Sequence, residues 1–162
     1  MKNKIAILDA SPLIALAYIK KLYLLNALFN DFVVPQSVAK EITKRGKPYS
    51  QELSDFIKGK IVSSKNKELV ELFAVNLDSG ESEVLALYYE INNAIVVIDE
   101  EKARKLAKRK NIPLIGSLGL LVLAKYHGHI SKVKEMMDLL IKNGIRIKPY
   151  VYNEILKMCN EL

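Results

Sequence analysis

The stretch Ile5-Ala6-Ile7-Leu8-Asp9-Ala10-Ser11-Pro12 decides the fold. Four consecutive apolar residues are too few for a helix and suit a strand buried on both faces. Ser11 and Pro12 then read as a helix N-cap and a first helical position, and Leu13–Ala27 reads as one helix. The same switch recurs at Ala94-Ile95-Val96-Val97-Ile98-Asp99. A helical pattern follows over Glu101–Lys110, with Ala103, Leu106 and Ala107 on its inner face. Further out, short apolar runs at 32–34, 61–62 and 113–115 alternate with helical segments. These fall at 37–44, 50–58, 78–91, 118–127, 131–142 and 150–159. Ile145–Ile147 reads as a strand or an extended arm. Strands separated by helices imply βαβ units and a parallel sheet with helices on both faces. In such sheets, sites form beyond the carboxyl ends of the strands.

Acidic residues occupy that edge. Asp9 ends the first strand and Asp99 ends the strand 94–98. Glu81 lies in the first turn of the helix leading into the latter, and Glu41 in the helix after Pro35. Each has an ordinary reading by itself. Asp9 ends a strand, Asp99 caps the next helix, Glu81 forms a capping box with Asp78, and Glu41 is solvated. Together they fall at one sheet edge, and that convergence needs a cation. Two unit charges 4 Å apart repel by about 4 kcal/mol at an effective dielectric of 20. An oxygen-preferring divalent ion, Mg²⁺ or Mn²⁺, answers the need. It activates water and stabilises charge on a phosphodiester oxygen.

The rest of the composition fits that chemistry. The chain has 162 residues, 50% of them hydrophobic and 27% charged, which excludes disorder and coiled-coil classes. Its net charge of +7 favours a polyanionic partner. The single cysteine, Cys159, excludes an intramolecular disulfide and a cysteine zinc cluster. Two histidines, His127 and His129, sit together at a helix end and supply no general base at the acidic edge. No apolar run approaches the ~20 residues of a membrane span, and the run before Asp9 is too short for a signal-peptide core. The expectation is a cytoplasmic protein with no membrane partner, a single domain over 1–162. Residues 145–162 form an arm and helix for packing or dimerisation. A phosphoacceptor receiver domain would need an acidic pair after the first strand, and only Asp9 stands there.

The motifs carry a resemblance. Leu8-Asp9-Ala10-Ser11-Pro12-Leu13-Ile14, Val34-Pro35, Val38-Ala39-Lys40-Glu41-Ile42, Leu77-Asp78-Ser79-Gly80-Glu81-Ser82-Glu83, Ile98-Asp99-Glu100-Glu101 and Pro113-Leu114-Ile115-Gly116-Ser117 stand in one order along the chain. In that order they resemble the PIN-domain family of metal-dependent ribonucleases, in its small prokaryotic branch with a Gly-Glu-x-Glu motif. The resemblance implies a three-layer α/β/α sandwich with a central parallel sheet. It implies Mg²⁺ or Mn²⁺ held by Asp9, Glu41, Glu81 and Asp99, RNA as substrate, a homodimer, and in many relatives a small antitoxin as partner. Ser11 and Ser117 match hydroxyl positions near the acids. Glu83 lies about 200° around the helix from Glu81, so Glu81 is taken as the nearer ligand, with Glu83 and Glu100 as supporting or alternative ones. A non-catalytic module that binds protein or RNA through the same fold is the alternative.

Overall fold

The computed structural model describes residues 1–162. Five strands form one all-parallel sheet: β1 (Ile5–Leu8), β2 (Asp31–Pro35), β3 (Ile61–Val62), β4 (Ala94–Val97) and β5 (Leu114–Ile115), in the order β3-β2-β1-β4-β5. β1 and β4 are buried nearly throughout because both have neighbours on each side and helices on each face. Their register pairs Leu8 with Val97, and the ladder runs on through the Asp9 N–H to the Val97 carbonyl at 3.1 Å. The chain leaves β1 towards β2 and leaves β4 towards β5, in opposite directions. With right-handed crossovers, the helices after β1 and β2 fall on one face and those after β3 and β4 on the other. The gap between the ends of β1 and β4 is therefore the topological switch point, where α/β sheets bind ligands.

One layer starts with α1 (Ala10–Tyr18), α2 (Leu24–Leu28), α3 (Gln36–Ile42) and α4 (Ser50–Phe56). It is extended by α8 (Ser117–Tyr126), α9 (Val133–Lys142) and α10 (Pro149–Met158), since α8 and α9 pack on α1 and α10 packs on both. The other layer holds α5 (Lys67–Ala74), α6 (Ser79–Tyr88) and α7 (Glu101–Arg109), with α6 lying on β1, β2 and β4. A continuous core of 43 buried apolar residues joins both layers through the sheet.

Several local expectations are corrected. Leu13–Ala27 is not one helix. α1 ends at Tyr18, Lys20 adopts φ +56°, and the Lys20 and Lys21 N–H groups close back onto Ala17 and Leu16 carbonyls. The apolar stripe continues across this break, so periodicity hides it. Ser11 is not the N-cap either. Asp9 holds that place and Pro12 sits in the first turn, where its missing N–H leaves no helix bond unmade. Asp99 does not cap α7, because Glu100 does, accepting from the Ala103 N–H at 2.9 Å. α5 goes unmarked by the short-run pattern of the sequence; Asn66 caps it by accepting from the Leu69 N–H. Residues 145–147 join no strand and connect α9 to α10 without regular structure. α10 packs on its own chain's α8 and α9, and Glu161 beyond it accepts from the Val133 and Lys134 N–H groups and Lys125 Nζ, tying the C-terminus to α9.

Candidate active site

Asp9 is the centre of the site. It is 5% exposed. Burial, and then the nearby carboxylates of Glu81, Asp78 and Glu41, push its carboxyl up to about 7, against a backbone hydrogen bond at Ala10 that lowers it. Its acidic neighbours come from two other elements. α6 brings Glu81 and Asp78, and α3 brings Glu41. Gly80 makes that approach close: a Cβ there would stand 3.1 Å from Val38 Cγ2 and 3.4 Å from Asp9 Oδ1. The tight contact is with Val38 of α3, so the missing side chain at Gly80 lets α6 close onto α3 with Asp9 alongside.

Glu81 is buried, and burial raises its carboxyl from the ordinary range. The expected capping box is present. The Glu81 N–H donates to Asp78 Oδ1 at 2.8 Å, and the Asp78 N–H donates to Glu81 Oε2 at 3.1 Å. This fixes the Glu81 side chain and leaves Oε1 outside the box. Glu83 is a brace. Its Oε1 accepts from the Ser37 N–H at 2.9 Å and Ser37 Oγ at 2.7 Å, and its Oε2 from the Ser64 N–H at 3.2 Å. It thereby ties α3 and the β3–α5 loop to α6.

Asp99 follows β4 two residues on, after Ile98. Its Oδ1 accepts from the Ser117 N–H at 2.7 Å and its Oδ2 from Ser117 Oγ. Ser117 is buried at the start of α8, and its two bonds hold the Asp99 carboxylate in place. Ser11 is exposed and shares a cleft with Asp99. Glu100 gives Oε2 to its capping bond, and after burial its charge joins those of Asp78 and Glu41 in raising the Glu81 carboxyl. The histidines lie at the far end of α8 from Ser117, about 15 Å along the helix.

Two groups escaped the sequence-level reading. The sequence pattern marks Asp78 only as a cap, yet its charge bears on both Asp9 and Glu81. Arg104 donates from Nη1 to the Ile98 carbonyl at 2.8 Å. A Cβ on Gly116 would stand 2.8 Å from that Nη1 and 2.9 Å from Asp99 Oδ1, so Gly116 makes room for an anchored guanidinium beside the carboxylate. The available signal was a glycine at the N-cap of α8, a place where a side chain that can accept a bond is usual.

The donor set is entirely oxygen, which suits a hard divalent ion and not zinc. None of the six ion pairs involves Asp9, Glu41, Glu81 or Asp99, so none of these acids is neutralised by a paired side-chain cation. No three acidic, histidine or cysteine side chains converge on one point. Mg²⁺ keeps several waters and takes one or two carboxylates beside substrate phosphates, a coordination that two of these acids could supply. Next to the acids, a groove of about 790 Å³ carries Lys40, Lys44, Lys47 and Lys67 together with Glu41 and Asp78.

A sequence model described as a PIN domain matches residues 5–161. The chain belongs to the PIN-domain family. PIN domains are typically nucleases, generally use divalent metal ions, and as nucleases bind RNA. The all-parallel sheet between helical layers is the α/β fold that membership implies. No helix of this PIN domain is long and apolar enough to cross a membrane. No curated protein and no solved structure matches the chain.

Proposed function

We propose that this PIN domain is a metal-dependent endoribonuclease that hydrolyses RNA at the switch point between β1 and β4, with Asp9, Glu41, Glu81 and Asp99 as its working acids. The observation that carries this is Asp9: a carboxylate 5% exposed, at a strand end, facing three further carboxylates with no cationic side chain paired to it. Such a cluster is unfavourable by itself and becomes favourable around a divalent ion. Asp9 and Asp99 would hold Mg²⁺ or Mn²⁺, with Glu81 and Glu41 as ligands directly or through water. When bound, the ion supplies a water of lowered pKa and a counter-charge for the phosphate.

The chain's own groups do the positioning. Ser117 holds both oxygens of Asp99, and the capping box holds Glu81 by one oxygen. The lysine groove beside Glu41 takes the flanking phosphates. In the reaction, a water oxygen bonds to phosphorus as the bond from phosphorus to the 3′-oxygen breaks. The water releases its proton to solvent and the departing oxygen takes one up, leaving 5′-phosphate and 3′-hydroxyl ends. A homodimer and a role as the toxin of a toxin–antitoxin pair extend the same reading, with the motif resemblance as their support.

The test is cleavage of an end-labelled single-stranded RNA by wild type and Asp9→Asn, each with Mn²⁺, Mg²⁺ or EDTA. Wild-type cleavage that disappears in EDTA and in Asp9→Asn is the expected result. Equal cleavage by both proteins sinks the assignment of Asp9. Absence of cleavage together with absence of metal binding by calorimetry replaces the enzyme with a non-catalytic binding module.

A further inference from the structure

Between α1, α8 and the segment 145–147 lies a second cleft, of about 460 Å³, with Asp99 and Ser117 in its lining. Its size is that of a small-ligand pocket. Its walls are apolar: Ile14, Leu118, Ile145 and Ile147 are each half-buried and line the cleft where they leave the core. Tyr18 lies seven residues along α1 from Ser11, about 10 Å away. Its ring meets that of Tyr49 edge-on at 5.4 Å, so it is held in place before any ligand arrives. The exposed Arg146 and Asn143 complete the rim.

An apolar slot that begins at a carboxylate of the proposed hydrolytic edge suits a flat group attached to the reacting phosphate. A nucleobase has that form: two apolar faces and a polar rim, joined through a ribose to phosphate. Asp99 and Ser117 carry one end of the cleft, and the Arg146 guanidinium offers a cation to a neighbouring phosphate. A base in a duplex cannot enter, because it is stacked and paired. The lysine groove touches Glu41 and Asp78 and shares no residue with this cleft. The acids therefore stand between a backbone track and an apolar slot.

We propose that this cleft receives one unpaired nucleobase of an RNA strand, next to the phosphate presented to Asp9 and Asp99. The proposal rests on the nuclease reading for the position of that phosphate, and it assigns single-strand preference to Ile14, Tyr18, Leu118, Ile145 and Ile147.

The experiment is methyl NMR of the wild-type protein labelled at isoleucine, titrated in EDTA with adenosine or uridine 5′-monophosphate and, separately, with ribose 5-phosphate. Ring-current shifts at Ile14, Ile145 and Ile147 with the nucleotides but not with ribose 5-phosphate are expected. Equal shifts with both ligands, or nucleotide shifts confined to other isoleucines, overturn the proposal. Shifts at these methyls with an apolar peptide and none with nucleotides also overturn it and give the cleft to a protein partner. In parallel, Ile147→Gln should raise KM for single-stranded RNA about tenfold, the usual scale of one lost base contact. An unchanged KM in an actively cleaving enzyme removes the base pocket and leaves the nuclease standing. The expected methyl shifts in a protein that cleaves no RNA keep the nucleotide site and remove the hydrolysis.

Discussion

A carboxyl that keeps its proton to about pH 7 because it is buried among other acids makes stability depend on pH in a defined direction. Unfolded, Asp9 titrates near 3.8. Between these values the folded chain binds more protons than the unfolded one, so stability falls as pH rises through the window and levels off above it. The full effect is on the order of 4 kcal/mol. Thermal unfolding in EDTA at pH 5 and pH 8 should show wild type losing more stability than Asp9→Asn, with the variant melting higher at pH 8. A variant that melts lower at both values would make Asp9 structural. Gly116→Ala tests the other side of the site. Its Cβ would press on Arg104 Nη1, anchored to Ile98, and on Asp99 Oδ1, anchored to Ser117. The backbone there has φ −106°, so an L residue meets no conformational penalty and crowding is the whole effect. Stability should drop by about 1–3 kcal/mol in urea titrations. RNA cleavage should drop by about 10²-fold, the scale of a small misplacement of a reacting group.

At the scale of elements, α6 is the piece that assembles the site, and two of its glutamates do different work. Glu83 accepts bonds from α3 and from the β3–α5 loop. Glu83→Ala leaves the Ser37 and Ser64 N–H groups without that partner and should cost about 2–4 kcal/mol of folding stability. Glu81→Gln keeps an oxygen for the capping bond, so its stability should change by less than about 1 kcal/mol, while cleavage falls severely. Denaturation midpoints and cleavage rates measured on both variants separate brace from ligand. Equal stability losses in the two would contradict the division. The short edge strand β3 matters for the same reason, since Ser64 just beyond it is tied to both Glu83 and Glu90.

At the scale of the molecule, the +7 charge is not spread evenly with respect to the acids. One lysine group, Lys40, Lys44, Lys47 and Lys67, lies in the groove next to Glu41. Another basic stripe, Lys102, Lys105, Lys108 and Arg109, lies along α7. Single-stranded nucleic acid releases about 0.7 counterions per neutralised phosphate. In the non-cleaving Asp9→Asn background, Lys40→Ala and Lys67→Ala should each reduce the slope of log affinity against log salt by about 0.7. Lys105→Ala and Lys108→Ala should leave it unchanged. The reverse pattern, read by fluorescence anisotropy over a salt series, would move the RNA path to α7.

Much of this protein is written in local pattern. Ile5–Leu8 and Ala94–Val97 are recognisable strands because burial on both faces demands an unbroken apolar run. The residues that end them, Asp9 and Asp99, are thereby placed at one edge of any parallel sheet. The Asp78–Glu81 capping box is equally local, closed within a single helical turn. Other features depend on segments far apart in the chain. The order β3-β2-β1-β4-β5 puts Asp9 and Asp99 on neighbouring strands, and nothing within either strand specifies that neighbour. The break at Lys20 is invisible because the apolar stripe runs through it. The role of Asp78, the brace at Glu83 and the packing of Arg104 against Gly116 each require elements brought together by crossovers. Helical period, strand burial and capping act over a few residues and can be read from the sequence. Which carboxylates face one another is set by how the layers close, and only the tertiary structure decides it.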